Sequence, residues 1–319
     1  MPANGAEGRI AAAVDLGSTS VHLLVGRVRD HRVEPIADES AFLGLGDAVT
    51  RGLLGGEGRG SLVDALAHYA WVARESGAET VTFVGTEPMR RLADAARIVD
   101  EVTHATGAGV NVLGHEEEGF LTLIGVTEGR SVERPLLVVD IGGGSSEFVT
   151  VGPRVPAVAL GLRVGAVGLT SRHIAHDPPT AAEIDALRGA ATDAIASAPD
   201  AAPDEIVVVG GTGSNLIKLV PASRAGATAA LGRPDLAAAM ARVARLPAAA
   251  IAEAYGVRPI RAAILGAGAA LVGAILDRYG HDAVRVADRG IREGTILATL
   301  HAGPGWRDRL GELARGWAD

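Results

Sequence analysis

The chain has 319 residues, no cysteine and a formal net charge of −8. The absence of cysteine excludes disulfides, thiolate metal sites and cysteine nucleophiles, and the negative charge repels polyanions unless arginines are gathered locally. Hydrophobic residues make up 48% of the chain and aromatic residues only 3%, which is enough for two domains whose cores are filled by aliphatic side chains and alanine.

The first eight residues, MPANGAEG, are polar and small, and we expect a disordered tail there. They lack a basic segment followed by an apolar stretch, and no later run of about eighteen apolar residues occurs. The sequence therefore predicts a cytoplasmic protein with no membrane partner. No nucleic-acid partner is expected, and the net charge repels a polyanion at long range.

The segment from Arg9 to Val28 reads as a hairpin of two apolar strands. The first strand ends at Asp15, and the turn consists of small residues, Gly17, Ser18, Thr19 and Ser20. Such a turn leaves backbone N–H groups accessible to an anion. The glycine-rich stretch 41–58 that follows predicts a surface loop, and a helix is expected to start near Ser61 and to end near Gly77.

Two later segments of the first half carry charged residues where a strand meets a helix. The strand TVTFVG leads into Thr86 and Arg90, which are placed to face an anion or, alternatively, to form a solvated basic helix start. The segment 110–126 predicts a strand, a turn and a helix with Glu116, Glu117 and Glu118 at the junction. Acidic residues there are partners of the helix dipole or candidates for chemistry.

The segment Arg134 to Val151 repeats the hairpin pattern with more glycine. The apolar run 136–139 predicts a strand buried on both faces that ends at Asp140, and Glu147 opens the next strand. Between them stand Gly142, Gly143, Gly144, Ser145 and Ser146. An ordinary turn between two strands would also use glycine. The second occurrence of the pattern nevertheless favours a duplicated fold with two phosphate-binding loops. The two carboxylates beside a phosphate predict a magnesium site.

The rest of the chain contains one further glycine segment and several helices. Thr180 and Glu183 predict a capped helix. The strand 205–209 runs into a glycine turn, Gly210 to Ser214, which offers N–H donors to a phosphate or only joins a strand to a helix. Residues 222–254 are alanine-rich and helical in tendency, a helix follows from about residue 258, and the strand 284–287 leads to a helix entered through Arg292.

DLGSTSVHLLV and DIGGGSSEFV resemble the first and second phosphate loops of the actin, hexokinase and chaperone-ATPase superfold. Over about 10–300 the chain resembles, more narrowly, the exopolyphosphatase and guanosine-pentaphosphate phosphatase family (Ppx/GppA) in its short form. The resemblance implies an α/β fold of two ribonuclease-H-like domains with an interdomain active cleft. We expect the domains at 10–129 and 131–292, and a C-terminal helical segment at 293–319 that packs back on the first.

The resemblance also implies roles for individual residues. Aligning LTLIGV with the family places Glu118 on its catalytic base. The expected metal ligands are Asp140, Glu147 and Asp15, with Mg²⁺ as the cofactor and Mn²⁺ as an alternative. The expected phosphate-binding residues are Gly17, Ser18, Thr19, Arg90, Gly142, Gly143, Gly144, Ser145, Gly211, Thr212 and Gly213.

Three positions depart from the family pattern. Phe120 stands where the family has an arginine, Asp94 where it commonly has asparagine, and Gly168 where it often has arginine, for which Arg163 is a candidate substitute. Asp94 is expected to weaken the positive field of its segment. A track that holds polyphosphate is expected from the following arginines: Arg90, Arg163, Arg261, Arg289 and Arg292.

The function implied by the resemblance is metal-dependent release of terminal orthophosphate from inorganic polyphosphate. The large C-terminal extension of longer family members is not present in this sequence, so short to medium chains are the expected substrates. The alternatives are hydrolysis of the 5′ phosphate of guanosine pentaphosphate (pppGpp), with a role in the stringent response, and a catalytically weak sensor of polyphosphate or nucleotide. A kinase or ATP-driven machine would be expected to show an adenosine-binding segment. A homodimer is expected.

Overall fold

The computed structural model describes residues 8–220 and 229–317. The predicted disordered tail, 1–8, falls almost wholly outside the described residues, as does the start of the alanine-rich segment. Contacts divide the chain into two units: 1–132, 154–159 and 289–319 form the first, and 133–153 and 160–288 form the second. The domain bounds expected from the sequence stay a prediction.

The first unit is built on a five-stranded sheet with the order β3-β2-β1-β4-β5. Its strands are β1 Ile10–Leu16, β2 Val21–Arg29, β3 Arg32–Ala41, β4 Thr80–Gly85 and β5 Val110–Val112. β1, β2 and β3 are joined antiparallel, while β4 and β5 are parallel to β1. β1 is buried along most of its length, as is typical of a central strand that is covered on both faces.

The helices of the first unit pack on this sheet through aliphatic side chains. Their bounds are α1 Leu45–Arg51, α2 Gly55–Glu75, α3 Glu87–Arg91, α4 Ala95–Thr106, α5 His115–Thr127, α13 Ile291–Ala302 and α14 Leu310–Leu313. α2 and α4 contribute Leu62, Leu66 and Ile98 to one core cluster with β1 and β2. α5 and α13 pack closely, since Gly125 and Gly294 lie against backbone atoms of the opposite helix, where a Cβ would overlap them.

The second unit contains most of a six-stranded sheet with the order β10-β11-β9-β6-β7-β8, of which residues 155–159 are assigned to the first unit. Its strands are β6 Leu136–Ile141, β7 Ser146–Gly152, β8 Val155–Leu162, β9 Glu205–Val209, β10 Ala230–Gly232 and β11 Ala283–Val286. β6 pairs antiparallel with β7 and parallel with β9, and β9 pairs parallel with β11. The order 8-7-6-9-11 thus repeats the order 3-2-1-4-5 of the first sheet. The predicted fold class, two α/β domains of one duplicated design, is confirmed.

The helices of the second unit surround an aliphatic and alanine-rich core, as the composition predicted. Their bounds are α6 Ala166–His173, α7 Ala181–Ile195, α8 Gly210–Leu216, α9 Arg233–Val243, α10 Ala248–Tyr255, α11 Pro259–Ala262 and α12 Leu265–Tyr279. The predicted cap of α7 is confirmed: Thr180 Oγ1 accepts from Glu183 N at 3.3 Å, and Glu183 Oε2 accepts from Thr180 N at 2.8 Å. In α12, Leu271, Val272 and Ile275 are fully buried.

Two local predictions are wrong. The stretch 41–58 is not one surface loop, because α1 and the first turn of α2 lie within it. α2 begins at Gly55, six residues before the predicted start, and tertiary packing of Leu45 and Leu54 in the core outweighs the low helix propensity of the glycines. The third glycine segment is not a turn before a helix, since α8 begins at Gly210 itself. No helix of the described residues is long and apolar enough to cross a membrane.

Candidate active site

The first glycine hairpin joins β1 to β2 and closes through the backbone. Asp15 lies directly opposite His22 in the antiparallel register, and Gly17 N donates to Ser20 O at 3.2 Å. A Cβ on Gly17 would lie 3.2 Å from Ser20 O, which is tighter than most real contacts, so the turn favours glycine. Ser20 Oγ lies 2.5 Å from His22 Nε2. The turn is therefore compact.

Ser18 is held by two neighbouring helices of the first unit. Its hydroxyl donates to Glu87 Oε2 at 3.0 Å, and its carbonyl accepts from Gly46 N at 2.7 Å. Glu87 is buried and also binds Arg91 Nη1 at 2.6 Å. These contacts hold the predicted phosphate loop against α1 and α3. The sequence analysis missed Glu87, because an acidic residue in a helix first turn is common for dipole reasons alone.

Arg90 lies beside Glu118 rather than in open solvent. Its guanidinium donates to Leu113 O at 2.7 Å and to His115 Nδ1 at 3.2 Å, and Nη1 is 3.0 Å from Glu118 Oε1. Since a guanidinium only donates, the proton of a neutral His115 lies on Nε2. The predicted role of Arg90 in phosphate binding is untested, and the structure adds a clear contact with the predicted base.

The three glutamates at the start of α5 have different surroundings. Glu116 is exposed. Glu117 accepts from Gly114 N at 2.7 Å and pairs with Arg307. Burial alone would raise the pKa of Glu117, but the hydrogen bonds from Arg307 and Gly114 outweigh it and lower that pKa. Glu118 is buried, with 4% of its surface exposed. Glu117 thus has a structural task, and Glu118 is the glutamate of this group that lies buried against Arg90.

The second glycine hairpin joins β6 to β7 with the same backbone closure. Gly142 N donates to Ser145 O at 3.0 Å, and Asp140 lies directly opposite Glu147 in the register. The two carboxylates therefore flank the loop as the sequence predicted. Glu147 is buried, and Asp140 is mostly buried.

The second loop is held by the start of α6. Ala166 N donates to Gly142 O at 3.0 Å, and Val167 N donates to Gly143 O at 2.9 Å. Gly165 lies so close to Gly143 that a Cβ would overlap the carbonyl of that residue. The loop and the helix are consequently one rigid backbone arrangement, which only glycine at position 165 permits.

Asp140 has an unusual protonation behaviour. Burial raises the pKa of its carboxyl to about 6, and the positive charge of Arg261 opposes this shift. Gly210 passes close to it, since a Cβ there would lie 2.5 Å from Asp140 Oδ1. An oxygen donor whose negative charge is poorly compensated suits a hard divalent cation. Asp140 and Glu147 together thus fit the predicted magnesium ion.

The third glycine segment is partly structural. Thr212 is buried and its hydroxyl donates to Ile141 O at 2.9 Å. A Cβ on Gly213 would lie within about 3.2 Å of Val286 and Val208, so this residue packs against β9 and β11. Gly211 faces the guanidinium of Arg261. Of the three predicted phosphate-binding residues, Gly211 is the one with a cation beside it.

The model of the Ppx/GppA phosphatase family matches residues 24–302. The chain belongs to this family. It is 30% identical over 302 residues to Exopolyphosphatase 1 of Mycobacterium tuberculosis (strain ATCC 25618 / H37Rv), covering 90% of this chain and 87% of that one.

Two further similarities concern a relative with another activity and a solved structure. The guanosine-5′-triphosphate,3′-diphosphate pyrophosphatase of Vibrio cholerae is 33% identical over 175 residues, which cover 51% of this chain and 33% of that one. The crystal structure of the Aquifex aeolicus Ppx/GppA family member matches with a TM-score of 0.79 and 25% identity, over 92% of this chain and 97% of that one. As a member of the Ppx/GppA family, the chain is a phosphoanhydride hydrolase.

The three departures from the Ppx/GppA pattern have structural partners. Asp94 accepts from Leu54 N at 3.1 Å and pairs with Arg59 at 3.1 Å. Burial would raise the pKa of Asp94, but these hydrogen bonds lower it. Its charge is therefore neutralised by Arg59, which the sequence analysis did not foresee. Phe120 is buried in α5. Beside Gly168 lies the guanidinium of Arg172, 3.7 Å from the position of a Cβ.

Three of the five arginines of the predicted track, Arg90, Arg289 and Arg292, contact carboxylates, and the track itself stays a prediction. Arg289 pairs with Glu128, and Arg292 pairs with Asp38 at 2.8 Å and also donates to Leu23 O at 3.4 Å. Arg163 is exposed, and Arg261 lies at Gly211. Only the tertiary structure shows which arginines already bind a carboxylate of the same unit, since partners such as Asp38 and Arg292 are distant in sequence.

Proposed function

We propose that this chain is an exopolyphosphatase that releases terminal orthophosphate from inorganic polyphosphate with Mg²⁺. The observation that carries the proposal is the end-to-end similarity to Exopolyphosphatase 1, over 90% of this chain. The similarity to the Vibrio cholerae relative covers about half of the chain. The two glycine hairpins supply what phosphoryl transfer requires, which is positioning and charge neutralisation.

The roles of the residues follow from their local surroundings. Backbone N–H groups of the first loop, at Gly17, Ser18 and Thr19, and of the second loop, at Gly142 to Ser145, seat the phosphates. Asp140 and Glu147 hold the magnesium ion, which neutralises charge on the phosphoryl oxygens when it is bound, and Asp15 supports it. Gly211 provides a further N–H group next to Arg261.

The attacking water is oriented and deprotonated by Glu118 in this proposal. The side chain is buried, and Arg90 fixes its orientation through the contact at 3.0 Å. Arg90 is itself anchored by Leu113 O. The water loses its proton to Glu118 as its oxygen attacks the terminal phosphorus, and the remaining polyphosphate chain leaves with the bridging oxygen.

Short to medium polyphosphates are the proposed substrates. The net charge of −8 repels a long polyanion, and Arg289 and Arg292 are occupied by carboxylates. Two arginines of the expected track are therefore already engaged by carboxylates of the same unit.

The alternative is hydrolysis of pppGpp, favoured by the similarity to the Vibrio cholerae relative. The experiment that decides is phosphate release by the purified chain from polyphosphate of defined length, pppGpp or ATP, each supplied alone with Mg²⁺. We expect the highest kcat/KM on polyphosphate of short to medium length, and Glu118→Gln serves as the background control. A higher kcat/KM on pppGpp would reverse the assignment, and no release from any of them would favour a sensor.

A further inference from the structure

The second unit contains a cavity of about 240 Å³ that includes none of the glycine-segment residues described above. Its floor is apolar and buried, and it is formed by Leu187, Met240, Ile251, Ala262 and Ala267. Its rim is exposed and is formed by His176, Asp177 and Leu246. An apolar floor beneath a polar rim is typical of small-molecule sites.

One polar group of the lining has no partner among the described residues. The hydroxyl of Thr170, on α6, is buried and makes no hydrogen bond there. The polar groups of the rim already have partners, since His176 contacts Glu183 at 2.9 Å and Asp177 accepts from Ala248 N at 2.9 Å. Because buried hydroxyls are normally hydrogen-bonded, Thr170 marks a position where a bound molecule can supply the missing partner.

We propose that this cavity binds a small, largely aromatic molecule that carries one N–H or O–H donor. An apolar cavity of about 150 Å³ holds benzene, so 240 Å³ fits a fused bicyclic ring of about ten non-hydrogen atoms. The apolar floor excludes charged ligands, because a charge buried there would lose its hydration without a counter-charge. The donor of the ligand binds Thr170 Oγ1.

The site is placed to regulate the phosphate loops of its own unit. α6 begins with the hydrogen bonds from Ala166 to Gly142 and from Val167 to Gly143, and Thr170 follows one helical turn later. Ala262, on the floor, is adjacent to Arg261, whose guanidinium lies against Gly211. A bound molecule that displaces α6 or the segment around Ala262 therefore also displaces backbone that is proposed to seat phosphate. Contacts between packed elements are a physical route for such coupling.

Binding is tested with indole as the probe, titrated calorimetrically into the full chain without substrate. We expect saturable binding with one site per chain. Indene, which has the same shape and no N–H, should bind about five- to tenfold more weakly, which is the usual value of one neutral hydrogen bond. Thr170→Val, an isosteric change, should reduce the affinity for indole by the same factor and leave that for indene unchanged. Equal affinities of the two probes would overturn the role of Thr170.

Two variants fill the cavity from different sides, Ala267→Leu on the floor and Ala248→Phe near the rim. The control is Gly273→Ala on the same helix as Ala267, where a Cβ meets nothing within 4 Å. Circular dichroism and thermal unfolding first establish which variants are folded. We expect each folded filling variant to lose indole binding and the control to keep it. Undiminished binding by a folded filling variant, or no binding by the wild type, would overturn the site.

The regulatory part is tested on whichever phosphoanhydride substrate the chain hydrolyses, so it does not depend on the proposed preference for polyphosphate. Saturating indole should change KM at least about twofold in the wild type, a small coupling by the usual scale, and leave KM of the filling variants unchanged. Binding of indole without any change in KM or kcat would overturn the regulatory part and leave the site intact.

Discussion

The hairpin β1–β2 of the first unit and the hairpin β6–β7 of the second close with the same hydrogen bond, from Gly17 N to Ser20 O and from Gly142 N to Ser145 O. An aspartate ends the first strand of each. They differ at the residue opposite that aspartate, which is His22 in the first hairpin and Glu147 in the second. The two hairpins thus share the same backbone hydrogen bond, but this pair of positions carries one carboxylate in the first hairpin and two in the second.

The two loops also differ in how they are held. The first is fixed by the hydroxyl of Ser18, which donates to Glu87, and by one backbone hydrogen bond, from Gly46 N to Ser18 O. The second is fixed by backbone, through the start of α6 and the close approach of Gly165 to Gly143. A Cβ on Gly165 would lie 2.4 Å from the carbonyl of Gly143, whereas a Cβ on Gly46 would lie 3.0 Å from Ser18 O. We therefore expect activity to be more sensitive to substitutions in the second loop than in the first. Because the second hairpin carries two carboxylates, we also expect its substitutions to have the larger effect on the Mg²⁺ requirement.

The largest effect should come from the residue that lies on neither hairpin. Glu118→Gln removes the proposed base and keeps its shape, so kcat should fall by about 10²- to 10⁴-fold with polyphosphate binding retained. Glu117→Gln should cost about 1 kcal/mol of stability, as expected for a helix N-terminal hydrogen bond, and should change kcat far less. Steady-state kinetics and equilibrium binding measure both. If Glu117→Gln lowered kcat strongly and Glu118→Gln did not, the catalytic base would be assigned to Glu117 instead.

The next effect tests the backbone of the second loop. Gly165→Ala places a Cβ into the carbonyl of Gly143 and should lower kcat/KM by about 100-fold, as misplacement of a reacting group by about 1 Å does. Gly168→Ala is the matched control, since its Cβ meets only the end of Arg172 at 3.7 Å. Comparable losses in both variants would contradict the proposed rigidity of the loop.

Metal dependence should separate the two hairpins directly. Asp140→Asn and Glu147→Gln each replace a charged oxygen, and each should raise the Mg²⁺ concentration for half-maximal activity by about tenfold or more. His22→Gln, at the equivalent register position of the first hairpin, should leave it within about twofold. Phosphate release is measured against Mg²⁺ in a chelator-buffered series. Full activity of the wild type in excess chelator would remove the metal from the mechanism.

The side-chain support of the first loop should matter less. Glu87→Gln weakens a charge-assisted hydrogen bond to Ser18 and should raise KM by no more than about tenfold, the usual range for such a bond. Arg91→Ala removes only the partly exposed ion pair to the same carboxylate and should change KM less than about twofold. An equal effect of the two variants would mean that the ion pair, and not Ser18, is what Glu87 contributes.

The smallest effect is on stability and follows from Asp140. Burial raises the pKa of this carboxyl to about 6 in the folded chain, so the folded state binds the proton more tightly than the unfolded state. Its contribution to stability is present at low pH and is lost as the pH rises from about 4 to about 6. Without metal, Tm of the wild type relative to Asp140→Asn should fall by a few degrees over this range. A constant difference would contradict the shift.

Several parts of this protein were predictable from sequence because they are local. Apolar strands ending in aspartate and followed by small residues identified both hairpins, and the register opposes Asp140 and Glu147 as expected. The capping pair Thr180 and Glu183 was read from a spacing of three residues. The duplicated fold followed from the repeated pattern. Two predictions from local sequence were wrong. The glycines at 55–58 and 210–213 predicted loops, but they lie in helices.

What the sequence by itself determined is thus the pair of hairpins, their carboxylates and the class of fold, because neighbouring residues in one strand or turn have fixed geometry. Only the tertiary structure decided that Glu87 holds Ser18, that Arg59 neutralises Asp94, and that Arg289 and Arg292 pair with carboxylates. It also placed Arg90 against Glu118 across 28 positions of the chain. These contacts join segments that are distant in sequence, and the packing of helices on each sheet, which no local pattern encodes, brings them together.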